Sequence, residues 1–188
     1  MSIFALTCYL LSLIIYIVYL CICLKRYGSK MDCISSTFYL NKRKWIFSAI
    51  IISISFLILP SWLEISGDNY TFLAFLSTLL LSIVGICPKY LGDERRIHLA
   101  SVALSCILSL IWNIVSGTYV LPIIGLILLL LYKVIFNVKD LALASEVMGF
   151  SNIYTSIIFK AFFFFFLIKG NNKNNDAQTS SRRLPLFS

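Results

Sequence analysis

The chain has 188 residues, 60% of them hydrophobic and only 13% charged, with a formal net charge of +8 and a mean hydropathy of +0.91. Soluble domains carry about 25% charged residues, so this composition excludes an ordinary soluble enzyme. It also removes the nucleic-acid reading of the positive charge, which is better explained by basic loops on the cytoplasmic face of a membrane.

The apolar residues fall in blocks of roughly 17–22. That is the length at which a helix rising about 1.5 Å per residue crosses about 30 Å of hydrocarbon. In lipid, the backbone N–H and C=O groups of each block must find partners within the block. No alternating barrel pattern is present, so every span is expected to be helical. The expected fold is all-α: a polytopic integral membrane bundle of about six transmembrane helices over residues 1–169, followed by a disordered polar tail over residues 170–188.

The first span, Ile3–Leu24, lacks a basic n-region and a small-residue cleavage site, and its apolar run is too long for a signal peptide. It is read as a permanent span. Loop one then carries Lys25, Arg26, Lys30, Lys42, Arg43 and Lys44 against Asp32 alone. The second span is Trp45–Leu63, and loop two holds only the acids Glu64 and Asp68. The third span, Tyr70–Cys87, leads to loop three with Lys89, Arg95 and Arg96, and the fourth is Ile97–Ser116. Loop four, Gly117–Tyr119, is uncharged; the fifth span is Val120–Phe136, and the fifth connection has Lys139, with Lys133 just before it at the end of the span.

Odd loops are therefore basic and even ones are not. This puts odd loops in the cytoplasm and the amino terminus outside, in a cell membrane, by type a bacterial inner membrane. Trp62, Tyr70, Trp112 and Tyr119 are expected near the outer face, and Trp45, Tyr90 and Tyr132 near the inner one. Pro60, Pro88 and Pro122 are expected at span ends or first turns, where proline breaks nothing.

The last span lies within Ala142–Ile168 and has two frames. Leu141–Phe159 places Glu146 in the bilayer; Val147–Ile168 places Lys160 there. Lysine can snorkel to an interface, which favours the second frame and leaves Glu146 at the cytoplasmic mouth, as the intramembrane-acid candidate. Basic residues after it, Lys169, Lys173, Arg182 and Arg183, outnumber Asp176 and oppose an outside carboxyl end.

The chemistry-bearing stretch is "CPKYLGDERRIHLAS", Cys87–Ser101. Asp93, Glu94, Arg95 and Arg96 precede the single histidine, His98. Three roles fit His98: a general base with Asp93 or Glu94 and the nucleophile Ser101, a pH-sensitive gate, or a polar residue at the membrane interface. The interfacial role is the expected one, with Arg95 and Arg96 meeting lipid headgroups. From His98 a polar stripe continues through Ser101, Ser105, Ser109 and Asn113 at helical steps. It reads as a hydrophilic path or as a seam of small residues packed against another helix; the seam is preferred.

Six cysteines are present, and Cys8, Cys21, Cys23, Cys87 and Cys106 lie in or beside apolar runs, where free Cys behaves as a small hydrophobe. One C-x-C without companion ligands is a poor zinc site, so no metal and no cofactor is expected. No internal repeat supports an inverted-repeat transporter.

The stretch "FLAFLSTLLLSIVGICPKYLGDERRIHLASVALSCI" resembles uncharacterised six-helix bacterial integral membrane protein families. In these a span ends in Gly-x-x-Pro, here Gly85 to Pro88, and the next begins with an apolar-His pair, here Ile97-His98. The resemblance covers about forty residues and implies a six-helix bundle. Some related families are likened to ceramidase-like hydrolases that hold zinc with several histidines; one histidine cannot supply that site.

The expected role is non-enzymatic: a small membrane component that binds lipid, a protein partner or a second copy through its transmembrane helices, with no nucleic acid. The alternatives are a transporter or channel subunit using the polar face of the fourth span, and a lipid-modifying enzyme using His98 and the adjacent acids.

Overall fold

The computed structural model describes residues 1–136 and 142–181, with side chains through residue 163 apart from those of residues 29 and 136. Lys139, Asp140, Lys169, Lys173, Asp176, Arg182 and Arg183 therefore lie outside the described side chains. Seven α-helices and two 3₁₀ turns account for the regular structure, with no strand among the described residues. The helices are α1 (Ile3–Tyr27), α2 (Thr37–Leu40), α3 (Trp45–Ser66), α4 (Thr71–Ile86), α5 (Arg95–Val115), α6 (Val120–Phe136) and α7 (Ala142–Ser181). By length and composition, α1, α3 and α5 are long and apolar enough to cross a membrane. The helices α4 and α6, with 16 and 17 residues, are apolar but rise only about 24–26 Å.

The ends of α1 follow from local chemistry. Ser2 caps its first turn by accepting the Ala5 N–H at 3.2 Å. Lys25 and Arg26 in its last turn oppose the negative end of the helix dipole, and Gly28 leaves it at φ 49°.

Along α1, α3, α4 and α5 neighbouring helices run antiparallel, and short polar side chains mark the register. Ser12 Oγ donates to the Ile54 carbonyl at 3.2 Å, and Ser61 Oγ donates to the Ala5 carbonyl, across α1 and α3. Ser77 Oγ donates to the Ser105 carbonyl, and Ser105 Oγ to the Ser77 carbonyl, both at 3.0 Å, across α4 and α5. Between α3 and α4, a Cβ added at Gly85 would sit 2.9 Å from Ile52 Cγ1 and 3.2 Å from the Ser48 carbonyl. The first half of α7 packs against α1, α3 and α5, where Tyr154 Oη meets Ser12 Oγ at 2.6 Å. The helix α6 packs mainly on α7.

Several expectations are corrected here. Pro60 lies inside α3 rather than at a span end, because the helix continues through Ser66. Trp62 and Trp112, near the ends of α3 and α5, turn inward between helices instead of facing out of the bundle. They are 1% and 0% exposed and meet edge to face at 5.5 Å, with the Trp112 N–H donated to Ser66 Oγ at 2.8 Å. That bond satisfies the indole in the interior and removes its need for an interface. No proline falls between Ala142 and Ser181, so α7 runs past the boundary expected at residue 169 and takes in the tail as far as Ser181.

Loop one also differs from a solvated basic connection. Its centre, Met31 and Cys33 through Phe38, is buried. It makes a 3₁₀ turn over Ile34–Ser36 that runs into α2, and Tyr19 and Thr37 share a hydroxyl–hydroxyl hydrogen bond.

Candidate functional site

The fourth-span stripe is the buried face of α5: His98, Ser101, Ser105, Ser109 and Asn113 are all buried, while Leu104, Ile107 and Ile111 face outward. The helix is thus inside-out relative to a soluble amphipathic helix. Ser105 belongs to the α4–α5 seam through its reciprocal bonds with Ser77. Further along, Asn113 turns its amide onto its own helix, donating to the Ser109 carbonyl at 2.8 Å and accepting from Thr118 Oγ1 at 2.8 Å.

His98 is not at a wet interface. It is 2% exposed, with Nδ1 2.8 Å from the Cys87 carbonyl and Nε2 3.2 Å from Ser35 Oγ. The Tyr90 ring lies beside it at 5.8 Å. A carbonyl only accepts, so Nδ1 carries the hydrogen and neutral Nε2 accepts from the Ser35 hydroxyl. The charges that suggested partners go elsewhere. Glu94 pairs with Lys89 Nζ at 3.5 Å and accepts the Lys89 backbone N–H at 3.2 Å, while Asp93, Arg95 and Arg96 are exposed. Ser101 is buried on the same helix face, but Ser35, from loop one, is the hydroxyl that meets the imidazole.

Ser35 also leads to Glu146. The Glu146 carboxylate accepts the Ile34 N–H at 2.5 Å through Oε2, and Oε1 lies 3.4 Å from Ser35 Oγ. Ser35 has one hydrogen to give, and the shorter approach is to His98. The chain His98–Ser35–Glu146 thus ties the start of α5, the buried loop one and the start of α7. Next to it, burial pushes the Cys33 thiol above its ordinary range, and the Glu146 charge pushes the same way. That makes Cys33 an unreactive cysteine.

Below this cluster lies a cavity of about 320 Å³ between α3, α4, α5, α6 and α7. Ile51, Leu81, Val84, Val102, Leu126 and Ile153 supply apolar wall. Ser35 and Glu146 line one end, and Ser105, Ser109 and Asn113 form a polar strip along α5. Glu146 is the one charged residue among the described lining residues. Gly149 faces this space, and a Cβ added there meets no atom within 4 Å. On the other wall Gly125 abuts the Asn152 amide, 2.6 Å from where its Cβ would be. Lys160, further along α7, sits over the Trp112 ring at 5.1 Å.

All six cysteines are free, and no group of three or more His, Cys, Asp or Glu side chains converges among the described residues. Comparison with protein-family models, curated proteins and solved structures finds no match.

The sequence singled out His98, Glu146 and the α5 serines without linking them. Ser35 was missed. Its only local signal is the apolar run Met31, Cys33, Ile34 and Phe38 set between basic flanks, unusual for a loop that only meets water.

Proposed function

We propose that the protein is a six-span integral membrane protein, amino terminus outside, that holds a lipid-like amphiphile within its bundle. The single observation that carries this reading is the cavity: largely apolar, with a polar strip along α5 and a carboxylate and a hydroxyl at one end. Ligand sites of this kind are concave, largely apolar and furnished with a few placed polar groups, in volumes of about 300–1,000 Å³. The inside-out α5 and the outward apolar side chains of α6, among them Ile123, Ile127, Leu130 and Leu131, support a hydrocarbon surround. The alternation of basic and non-basic loops supports the orientation, in a membrane of the bacterial inner-membrane type.

The test uses Gly149→Phe, which puts a ring into the cavity from a position where the Cβ meets no existing atom. Wild-type protein purified in mild detergent is expected to carry a co-purifying amphiphile in native mass spectra, and Gly149→Phe to fold equally well without it. Equal retention by both proteins overturns the reading. For the topology, a Cys placed at Asp68 on a Cys-free background should be labelled from outside sealed cells, and one at Lys30 spared.

One observation favours a second reading, a lipid-modifying hydrolase. Ser35 and His98 stand at 3.2 Å with the imidazole tautomer fixed by the Cys87 carbonyl, the relation of a nucleophile to its base. Ser35, which lines the cavity, replaces Ser101 in that role. Covalent labelling of Ser35 by an alkyl fluorophosphonate, lost in His98→Gln protein that still folds, would establish it; an unlabelled Ser35 disposes of it.

A further inference from the structure

We propose that the amphiphile is cationic: a single-chain molecule whose ammonium head sits on Glu146. The inference rests on the cavity reading above and adds the charge of the ligand.

Glu146 is half-buried and faces the cavity. Its hydrogen bond comes from a neutral donor, the Ile34 N–H, while the one Ser35 hydroxyl hydrogen goes to His98. The ion pairs among the described residues are elsewhere: the Met1 amine with Glu64, and Lys89 with Glu94. A carboxylate at the edge of an apolar space is costly unless a counter-charge joins it. A neutral donor on one side and an open, greasy cavity on the other leave that counter-charge to the ligand.

Aromatic rings make a second, independent case. Phe150 follows Glu146 by one turn on the same face of α7, and both line the cavity, as does Phe47. The Phe150 ring is held by stacking on Tyr16, with centroids 5.0 Å apart and 26° between planes. A carboxylate beside aromatic faces is the arrangement that binds an alkylammonium group. Further in, the apolar wall takes hydrocarbon, and a volume of about 320 Å³ suits one chain rather than two. An anionic lipid headgroup finds no lysine or arginine among the described lining residues and meets Glu146 instead.

The experiment compares dodecylamine with dodecanol, two probes with one chain length and different heads, on the full chain in nanodiscs of neutral phosphatidylcholine. Thermal shift against probe concentration gives apparent affinity, and Gly149→Phe nanodiscs supply the background from bilayer partitioning. Wild-type protein is expected to bind the amine at least about tenfold tighter than the alcohol. Glu146→Gln, which keeps an acceptor for the Ile34 N–H, should bring the two to within about twofold. Equal binding of both probes by wild type overturns the ammonium inference and leaves the cavity reading standing. Binding no better than in Gly149→Phe overturns both. Should Glu146→Gln fold poorly, the amine-over-alcohol ratio in wild type decides alone.

Discussion

The two sides of the bundle use small residues in opposite ways. Where α1, α3, α4 and α5 meet, glycine and serine bring backbones together. Gly85 leaves no room for a methyl group against Ile52 and Ser48, and Ser12, Ser61, Ser77 and Ser105 each donate to a carbonyl on the facing helix. On the α6–α7 side, Gly149 faces open space, and a cavity opens beside it although α7 still packs on α1, α3 and α5. Between lipid-surrounded helices there is little hydrophobic drive, so contact depends on close packing and interhelical hydrogen bonds. The α1–α3 and α4–α5 seams have both and are closed; on the α6–α7 side such contacts include Gly125 against Asn152 and Tyr154 against Ser12, and a volume remains beside them.

The sharpest way to break this contrast is to enlarge a glycine on each side. Gly85→Leu drives a side chain into the α3 backbone and is expected to cost about 3 kcal/mol, seen as loss of folded yield and a collapse of Tm in detergent. Gly149→Leu should stay within about 0.5 kcal/mol of wild type. Comparable losses at the two positions would mean the cavity side is as tightly packed as the seam.

Next in size is Ser105→Leu, which removes the hydrogen bond that Ser105 Oγ donates to the Ser77 carbonyl and wedges α4 from α5. A loss of about 2 kcal/mol is expected, measured by urea or heat in detergent; an unchanged Tm would show that the reciprocal Ser77–Ser105 bonds do not hold the seam.

His98→Gln should cost about 1–2 kcal/mol. The amide cannot reproduce both the Cys87 and the Ser35 bonds, and the site is too buried for water to replace the missing one. An interfacial imidazole would predict no change, so the thermal midpoint of this variant separates the two placements.

The smallest effect concerns two stacked tyrosines. Tyr16 Oη is buried and finds no hydrogen-bond partner among the described residues, whereas Tyr154 Oη bonds to Ser12. Tyr16→Phe should be neutral or slightly stabilising, within about 0.5 kcal/mol, and Tyr154→Phe should lose about 1 kcal/mol. A reversed order would place a partner on Tyr16 and not on Tyr154.

The helical segments were readable because their signals are local: an apolar block for each, and for α5 a polar stripe at helical spacing. That stripe located the buried face through Asn113, and only its first residue was misjudged. His98 follows four charges, which reads as wet. What buries it comes from loop one and from the end of α4, 63 and 11 residues away in sequence. Ser35 was invisible for the same reason, since a hydroxyl in a basic loop has no periodicity to report. Trp62 and Trp112 were drawn to the surface by a general preference, which their mutual packing and the Ser66 bond override. Glu146 was noticed as a charge in the wrong place, and the Ile34 N–H that meets it could not be.

That last bond has a consequence in time. Ile34 and Glu146 are separated by 112 residues. At a synthesis rate of about 5–20 residues per second, roughly 6–22 s pass between the emergence of the donor and of its acceptor. Throughout that interval the first loop has its turn and its flanking helices but not the carboxylate that ties it down. The segment that ends most firmly anchored at one end of the cavity is therefore among the last to be secured, and a ribosome that stalls before Glu146 leaves it loose.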